Sequence, residues 1–217
     1  MSQFAFPGQN RTDEPEWVVW LTVLLSLIVG WVLMTLVTGQ MQQVKTNAGT
    51  ISIPSSWALL REEGTTFSAT DRNASGSRVS MRQIAKADLI GTLGPDTLET
   101  AASNWAVLRS NDLEGFRVLN IEAVQLLQNG QMIRTPEGVA QAEPVAGAIP
   151  AMLVEYAYLA NPSESVGANV MPVLFHAIDT LVAKDTDFMV LSVAVDQSSN
   201  TQLNSLHEQM LKNWVRQ

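Results

Sequence analysis

The apolar positions of the first 40 residues follow a different pattern from those of the rest of the chain. Residues 17–38 (WVVWLTVLLSLIVGWVLMTLVT) contain no ionisable side chain and are apolar on every side of a helix. At the helical rise this segment is about 33 Å long, enough to cross a hydrocarbon core of about 30 Å. We therefore predict a transmembrane helix at 17–39, with a polar tail at 1–16 before it and a polar linker at 40–48 after it.

A cleaved signal peptide is the alternative interpretation of this segment. The apolar core of a signal peptide is usually about 7–15 residues long and follows basic residues. Here the core is longer, and the single base before it, Arg11, is accompanied by Asp13, Glu14 and Glu16. We therefore expect an uncleaved, single-pass anchor. Arg11 and Lys45 are the bases nearest its two ends, so the positive-inside rule leaves its orientation open.

Three small residues recur at a spacing of four within the predicted span. Thr22, Ser26 and Gly30 therefore share one side of the helix. Small residues in this spacing let a second helix approach closely, and hydroxyl groups can bond across the contact or back to their own backbone. We predict that these three residues form a helix-packing interface with an integral membrane partner. Tolerance of lipid by scattered small residues is the alternative.

From residue 49 onward, short segments of alternating polarity are separated by turn-forming residues, as is typical of strands. Asn129-Gly130 lies between two apolar runs and predicts a hairpin with positive φ at both turn positions. A second hairpin is expected around Glu63-Gly64. The predicted strands are 50–54, 58–62, 65–70, 78–84, 115–128, 131–135, 151–160, 171–183 and 187–195.

Two helices are predicted among these strands. The first runs from Asp96 to about Ser110, with Asp96 and Glu99 forming a capping box. The second closes the chain after a capping box of Ser199 and Gln202, and it carries one apolar stripe: Leu203, Leu206, Met210 and Trp214. Strands, a helix, more strands and a final helix predict an α+β domain at 49–217, in which helices sandwich a central antiparallel sheet.

Composition excludes several kinds of site. The chain of 217 residues has no cysteine, so disulfides, Cys-ligated zinc, iron–sulfur clusters and attached c-type haem are ruled out. It has two histidines, too few for most histidine-built metal sites without carboxylates. The net charge of −8 lacks the basic footprint of a nucleic-acid-binding protein. We therefore expect no nucleic-acid partner.

The candidate catalytic groups are few and isolated. His176 falls within an alternating, apolar stretch and is expected to be half-buried, whereas His207 is expected at the boundary of the last helix's apolar stripe. Glu62 and Glu63 flank a turn and are expected to face solvent. No nucleophile elbow or phosphate loop accompanies them. We predict a protein that is not an enzyme, with no catalytic, cofactor-binding or metal-binding residues; a hydrolase with a cleft lined by His176 and converging acids is the rival.

A family resemblance appears when the segments are taken in order. The opening ISIPSSWALLREE, the helix at 96–110 followed by EGFRV, the segment Val145-Ala-Gly147 before IPAMLVEYAY, and FMVLSVAV before the last helix resemble the PsbP/Mog1-like domains. The resemblance covers about 49–217. It implies an α/β/α sandwich around an antiparallel sheet and no catalytic residues, since the shared positions are structural.

The same resemblance implies a role in protein–protein interaction. Members of the family are accessory subunits of photosystem II, assembly factors and binding partners of a small GTPase. Together with a membrane anchor, it implies a bacterial accessory subunit of a membrane complex in photosynthetic or respiratory electron transport, such as alternative complex III, that stabilises or shields cofactor-bearing subunits. The soluble domain would then lie on the extracytoplasmic, periplasmic side of the cell membrane. A membrane-anchored assembly factor or binding module that acts transiently on a client is the alternative.

Overall fold

The computed structural model describes residues 16–38, 40–46, 49–71, 76–90, 97–134, 145–160 and 171–214. The chain divides into two compact units, Met1–Gln40 and Met41–Gln217. In the first unit, helix α1 spans Glu16–Thr38. Its segment Trp17–Thr35 has a mean hydropathy of 2.3 and no buried residue, and among the described residues it is the one helix long and apolar enough to cross a membrane.

The described part of the second unit is a mixed α+β structure. Its helices are α2 (Lys86–Ile90), α3 (Leu98–Asp112) and α4 (Leu203–Trp214), and a 3₁₀ turn at Gln197–Gln202 precedes α4. The strands are β1 (Met41–Thr46), β2 (Gly49–Pro54), β3 (Trp57–Leu60), β4 (Phe67–Asp71), β5 (Arg78–Ala85), β6 (Glu114–Leu126), β7 (Met132–Arg134), β8 (Ile149–Ala160), β9 (Val173–Lys184) and β10 (Asp187–Asp196).

The strands β3 to β10 form one antiparallel sheet in the order β3-β4-β5-β10-β9-β8-β6-β7. Side chains alternate between its two faces, and each face has its own core. On one face, Met210 of α4 and Ile51 of the β1–β2 hairpin pack against sheet residues such as Leu153. On the other, residues of α2 and α3 such as Trp105 pack against sheet residues such as Tyr156 and Phe188. The predicted sandwich is therefore confirmed.

The predicted linker at 40–48 contains a strand. Residues 41–46 form β1, which pairs antiparallel with β2 from Met41 opposite Pro54 to Thr46 opposite Gly49. The polar residues of β1 mislead because exposed and half-buried positions alternate along it. Val44 packs against the core, and Gln42 donates to the carbonyl of Trp57 at 3.2 Å.

Both helix starts differ from the predicted capping boxes. Helix α3 is capped by Thr97, whose hydroxyl accepts from the Thr100 backbone N–H at 3.2 Å; Asp96 lies outside the described residues. The last helix begins through the 3₁₀ turn, and the cap there is Asp196, which accepts from the Ser199 N–H at 2.9 Å. In each case the N-cap is the polar residue immediately before the first helical residue.

The two predicted hairpins are present. β3 and β4 pair across the turn that contains Gly64 (φ +73°), and β6 and β7 pair across Asn129-Gly130. Only the glycine of this second turn has positive φ, at +75°, so the expected conformation with two such residues is wrong. Instead the Asn129 side chain accepts from the Gln131 N–H at 2.9 Å, which closes the turn through a side chain.

Candidate functional site

The predicted helix-packing residues lie along α1, separated by about one helical turn each. The hydroxyls of Thr22 and Ser26 donate to the carbonyls of Val18 and Thr22, both at 2.8 Å. A Cβ atom added at Gly30 would meet no atom within 4 Å. The hydroxyl groups are therefore satisfied within their own helix, and the stripe offers close approach rather than free hydrogen-bond donors. Its role as an interface stays a prediction.

A buried polar cluster lies under α3, on the sheet face that α2 and α3 cover. Asp179 of β9 is completely buried. Its carboxylate accepts from Trp105 Nε1 at 2.6 Å and from the Tyr156 hydroxyl at 3.1 Å. Arg109 Nε lies 3.6 Å from the same carboxylate, and Arg109 Nη2 donates to the Tyr156 hydroxyl at 2.8 Å. We call these four residues the Asp179 cluster.

Electrostatic effects hold the cluster in one protonation pattern. Burial, and then the charge of Asp179, raise the pKa of Tyr156 well above its ordinary value, so the phenol stays protonated and donates. Burial opposes the charge on Arg109, but Tyr156 and Asp179 outweigh it and raise the pKa of the guanidinium. Arg109 also lies over the rings of Trp105 and Tyr156, 5.5 and 5.6 Å from their centroids.

This arrangement is structural rather than catalytic. Two hydrogen-bond donors and the Arg109 guanidinium surround the single carboxylate, which is completely buried and has no exposed surface left for a substrate. Trp105 and Arg109 are one helical turn apart on α3, so their bonds fasten that helix to β8 and β9. Removing one member of such a buried network costs more than each bond contributes, because the other members lose their partners.

A row of polar residues extends from this cluster across the same sheet face. In the strand register Asp179 lies opposite Ser192, Ser192 opposite Ser80, and Ser80 opposite Ser68. The Ser192 hydroxyl is buried and has no hydrogen-bond partner among the described residues, and the same holds for Arg82 Nε. Arg82 instead reaches Glu62 through Nη2 at 3.2 Å. The row therefore keeps hydrogen-bonding capacity that the described residues do not use.

An aromatic series borders the cluster. Ring centroids are 5.0 Å apart for Phe116 and Tyr156, 5.9 Å for Tyr156 and Tyr158, and 5.3 Å for Tyr158 and Phe175. Burial raises the pKa of Tyr158 as well, although nearby arginines oppose the change. Arg78 lies 5.8 Å from the centroid of Phe175. The series packs β6, β8 and β9 together beneath the helix layer.

His176 occupies the opposite face of the sheet and is half-buried on β9. It lines a cleft of about 230 Å³ together with residues that include Glu155, Leu119 and Asn204. Glu155 is the one acid of this lining, and its carboxylate lies 3.8 Å from Arg134 Nη2. The convergence of several acids on His176 that a hydrolase would need is therefore not found among the described residues.

The expected boundary position of His207 is wrong. His207 is 1% exposed, and its Nε2 lies 2.6 Å from the hydroxyl of Thr180 on β9. Burial, helped by the charge of Arg134, lowers the pKa of His207 to about 4, so the ring is neutral near pH 7. Its position is readable in the sequence, because residue 207 follows Leu203 by four and therefore falls within the apolar stripe of α4.

The remaining sequence candidates do not converge. Glu62 and Glu63 are exposed at the β3–β4 turn, as expected, and Glu62 pairs with Arg82. Within the described ranges no group of three or more His, Asp or Glu side chains could hold a metal ion. The Asp179 cluster was missed because its members are far apart in sequence, and only the i, i+4 spacing of Trp105 and Arg109 hints at it.

Comparison with known proteins supports the fold. No family model and no curated protein matches the sequence. Among solved structures, the cyanobacterial PsbP protein of Synechocystis has a TM-score of 0.50 and 12% identity, over 80% of this chain and 90% of that one. The Ran-binding protein Mog1p of Saccharomyces cerevisiae has a TM-score of 0.41 and 11% identity, over 81% and 89%. The likeness to the PsbP structure confirms the predicted PsbP/Mog1-like fold, and at 12% identity it concerns the fold alone.

Proposed function

We propose that this protein is a single-pass membrane protein whose PsbP/Mog1-like domain acts as a non-catalytic accessory subunit of a larger membrane complex. The observation that carries the proposal is helix α1. Its 19-residue segment Trp17–Thr35 is apolar, unburied and long enough to cross a bilayer. The polar groups of the Asp179 cluster are buried and bond to one another, so they hold the fold together and are not available to a substrate.

The proposal places the contact with the membrane partner at Thr22, Ser26 and Gly30. Because the two hydroxyls bond to their own helix, attraction there would come from close backbone packing. The partner would be an integral subunit that carries a cofactor for photosynthetic or respiratory electron transfer, as in alternative complex III, with the domain on the periplasmic side. The support for this finer part is the PsbP/Mog1-like fold together with an anchor.

Affinity purification from native membranes in mild detergent tests the proposal. A resident subunit brings down the same integral proteins at a fixed ratio, and an electron-transfer complex brings a visible haem or pigment spectrum with them. An assembly factor, the alternative, recovers its client at low and variable yield. Recovery of the protein alone from native membranes would contradict both roles. A protease-protection assay on sealed vesicles of known orientation reports the side of the domain.

Gly30→Leu tests the docking surface on α1. The added side chain separates two closely packed helices, so we expect the amount of co-purified partner to fall severalfold. Ile28→Phe is the matched control, since it adds similar bulk on the opposite side of the same helix. Equal recovery of the partner with both variants would contradict docking through the Thr22–Ser26–Gly30 stripe while leaving the accessory role standing.

A further inference from the structure

The outer edge of β6 is the longest open edge of the sheet in the described part of the chain. β6 has 13 residues, but β7 pairs only with Val124–Leu126 on its outer side. No described strand pairs with that side of residues 114–123. Three apolar side chains along it are partly in solvent: Val118 is 39%, Leu119 51% and Ile121 37% exposed. Unpaired N–H and C=O groups beside such side chains form a template for another strand.

Charged and apolar side chains of this edge are sorted onto different faces. The register with β8 puts Arg117 and Glu122 on the face covered by α4, and Val118 and Ile121 on the face covered by α3. Between the two pairs the register shifts by one residue, at Leu119. This bulge leaves Leu119 as an extra residue at the centre of the segment.

We propose that two copies of this protein associate through their β6 edges, antiparallel, about a two-fold axis between Leu119 and Asn120. In this register Arg117 lies opposite Glu122 of the second copy, and Val118 lies opposite Ile121 of the second copy. Directly opposed residues of an antiparallel pair share a face, so opposite charges meet on one face and apolar side chains on the other. Two-fold symmetry makes each contact twice.

The charges already on this face favour such a copy. Arg134 lies 3.3 Å from the Glu122 carboxylate and 3.8 Å from the Glu155 carboxylate, so one positive charge is shared between two negative charges. Arg117 is exposed and has no carboxylate within ion-pair distance among the described residues. Arg117 of a second copy would supply the missing positive charge. Each protomer thus carries both halves of a complementary pair.

The same features disfavour other strands. Charged side chains at both ends of the segment would lose hydration against an arbitrary apolar strand, and the bulge prevents a long flat pairing. β7 occupies the outer side of β6 from Val124 to Leu126, so the proposed pairing is limited to Arg117–Glu122. A short, charge-matched contact of this kind is specific for a strand with the opposite order of charges, and β6 of a second copy, run antiparallel, has that order. This association concerns the domain and is independent of docking through α1.

Charge reversal in the full chain tests the proposal. The oligomeric state of the detergent-solubilised protein is measured by analytical ultracentrifugation over a range of concentrations. We expect a concentration-dependent dimer of the unmodified chain, and Arg117→Glu or Glu122→Arg should weaken it about tenfold or more, because like charges then face each other twice. The double variant should restore the dimer, whereas Glu99→Arg, at an exposed position of α3, should leave it unchanged.

Cross-linking then tests the register. Because the chain has no cysteine, Asn120→Cys introduces a single thiol beside the proposed axis. Mild oxidation should give a disulfide-linked dimer, and Asn111→Cys, exposed on α3, should not. A monomer at all concentrations overturns the proposal. A dimer that persists in Arg117→Glu also overturns it, because the association would then lie in α1. The proposal is likewise overturned if the double variant keeps its circular dichroism spectrum but does not form the dimer.

Discussion

At Gly130 the turn between β6 and β7 touches the backbone of helix α4. A Cβ atom there would overlap Cα and N of Lys212, and φ is +75°. Gly64, in the β3–β4 turn, has nearly the same φ, +73°, but its added Cβ would meet nothing within 4 Å. Substitution of Gly64 therefore tests the cost of positive φ alone, whereas substitution of Gly130 tests that cost together with a steric clash against α4.

We expect Gly130→Ala to lower the free energy of unfolding by more than about 3 kcal/mol, because α4 must move away from the turn in addition to the cost of positive φ. Gly64→Ala should cost about 1 kcal/mol, from positive φ alone. Urea denaturation of the detergent-solubilised chain measures both. Similar losses in the two variants would show that the turn can shift without disturbing α4.

The neutral state of His207 links stability to pH. Its pKa in the fold, about 4, is below the ordinary value of 6.5, so the unfolded chain binds the proton more strongly. The free energy of unfolding should be highest above pH 6.5 and should fall as pH drops from 6.5 to 4, by about 3 kcal/mol in all from this residue. His207→Gln should remove this part of the decline.

Denaturant titrations at several pH values between 4 and 7.5 test the prediction. The quantity compared is the difference in free energy of unfolding between His207→Gln and the unmodified protein at each pH. His176→Gln is the control, and it should keep the decline because His207 and its contact with Thr180 remain in place. The sequence contains enough information to place His207, since residues 203, 207, 210 and 211 share one helical face. What it lacks is the Thr180 hydroxyl, which β9 supplies only after folding.

At the scale of elements, the Asp179 cluster fastens α3 to the sheet. Tyr156→Phe removes the hydroxyl that donates to Asp179 and accepts from Arg109. We expect a loss of about 1–3 kcal/mol, because a buried carboxylate and a buried guanidinium each lose a partner. Tyr158→Phe is the matched control on the same strand and face, and its expected loss is below about 0.5 kcal/mol, since no described residue hydrogen-bonds its hydroxyl.

Urea denaturation followed by circular dichroism compares the two variants, and hydrogen exchange of α3 amides shows where the loss falls. Faster exchange in α3 with Tyr156→Phe alone is the expected pattern. Equal effects of the two variants would mean that ring packing, rather than the hydroxyl network, holds the helix in place.

The elements themselves were largely predictable, and their exceptions have physical causes. Alternation gave the strands of the large sheet, because one or both of their faces are buried. It failed for β1 (Met41–Thr46), where every second side chain is only partly buried and the others are exposed. The sequence of this strand is therefore as polar as that of a linker. The Asp179 cluster was beyond reach because its four members come from three elements, and no local period connects residues 105 and 179.

At the scale of the whole molecule, the division between the two units falls at Gln40 and Met41 rather than at residue 49. A chain that begins at Met41 keeps the β1–β2 hairpin and loses the apolar helix. We expect it to be soluble without detergent and to unfold cooperatively, whereas the full chain should stay in the membrane fraction after alkaline carbonate extraction. Fractionation followed by sedimentation of the soluble form checks both expectations.

A chain that begins at Gly49, the predicted domain boundary, is the matched comparison. It lacks the strand that pairs with β2 along six residue pairs, the Val44 contact with the core and the Gln42 bond to Trp57. Ile51 and Ile53, fully buried in the complete fold, would then lie on a segment with no hydrogen-bonded neighbour, because β1 is the one described strand that pairs with β2. We expect this form to aggregate or to unfold at clearly lower urea than the chain from Met41. Equal stability of the two would mean that β1 belongs to the connection with α1 and not to the folded domain.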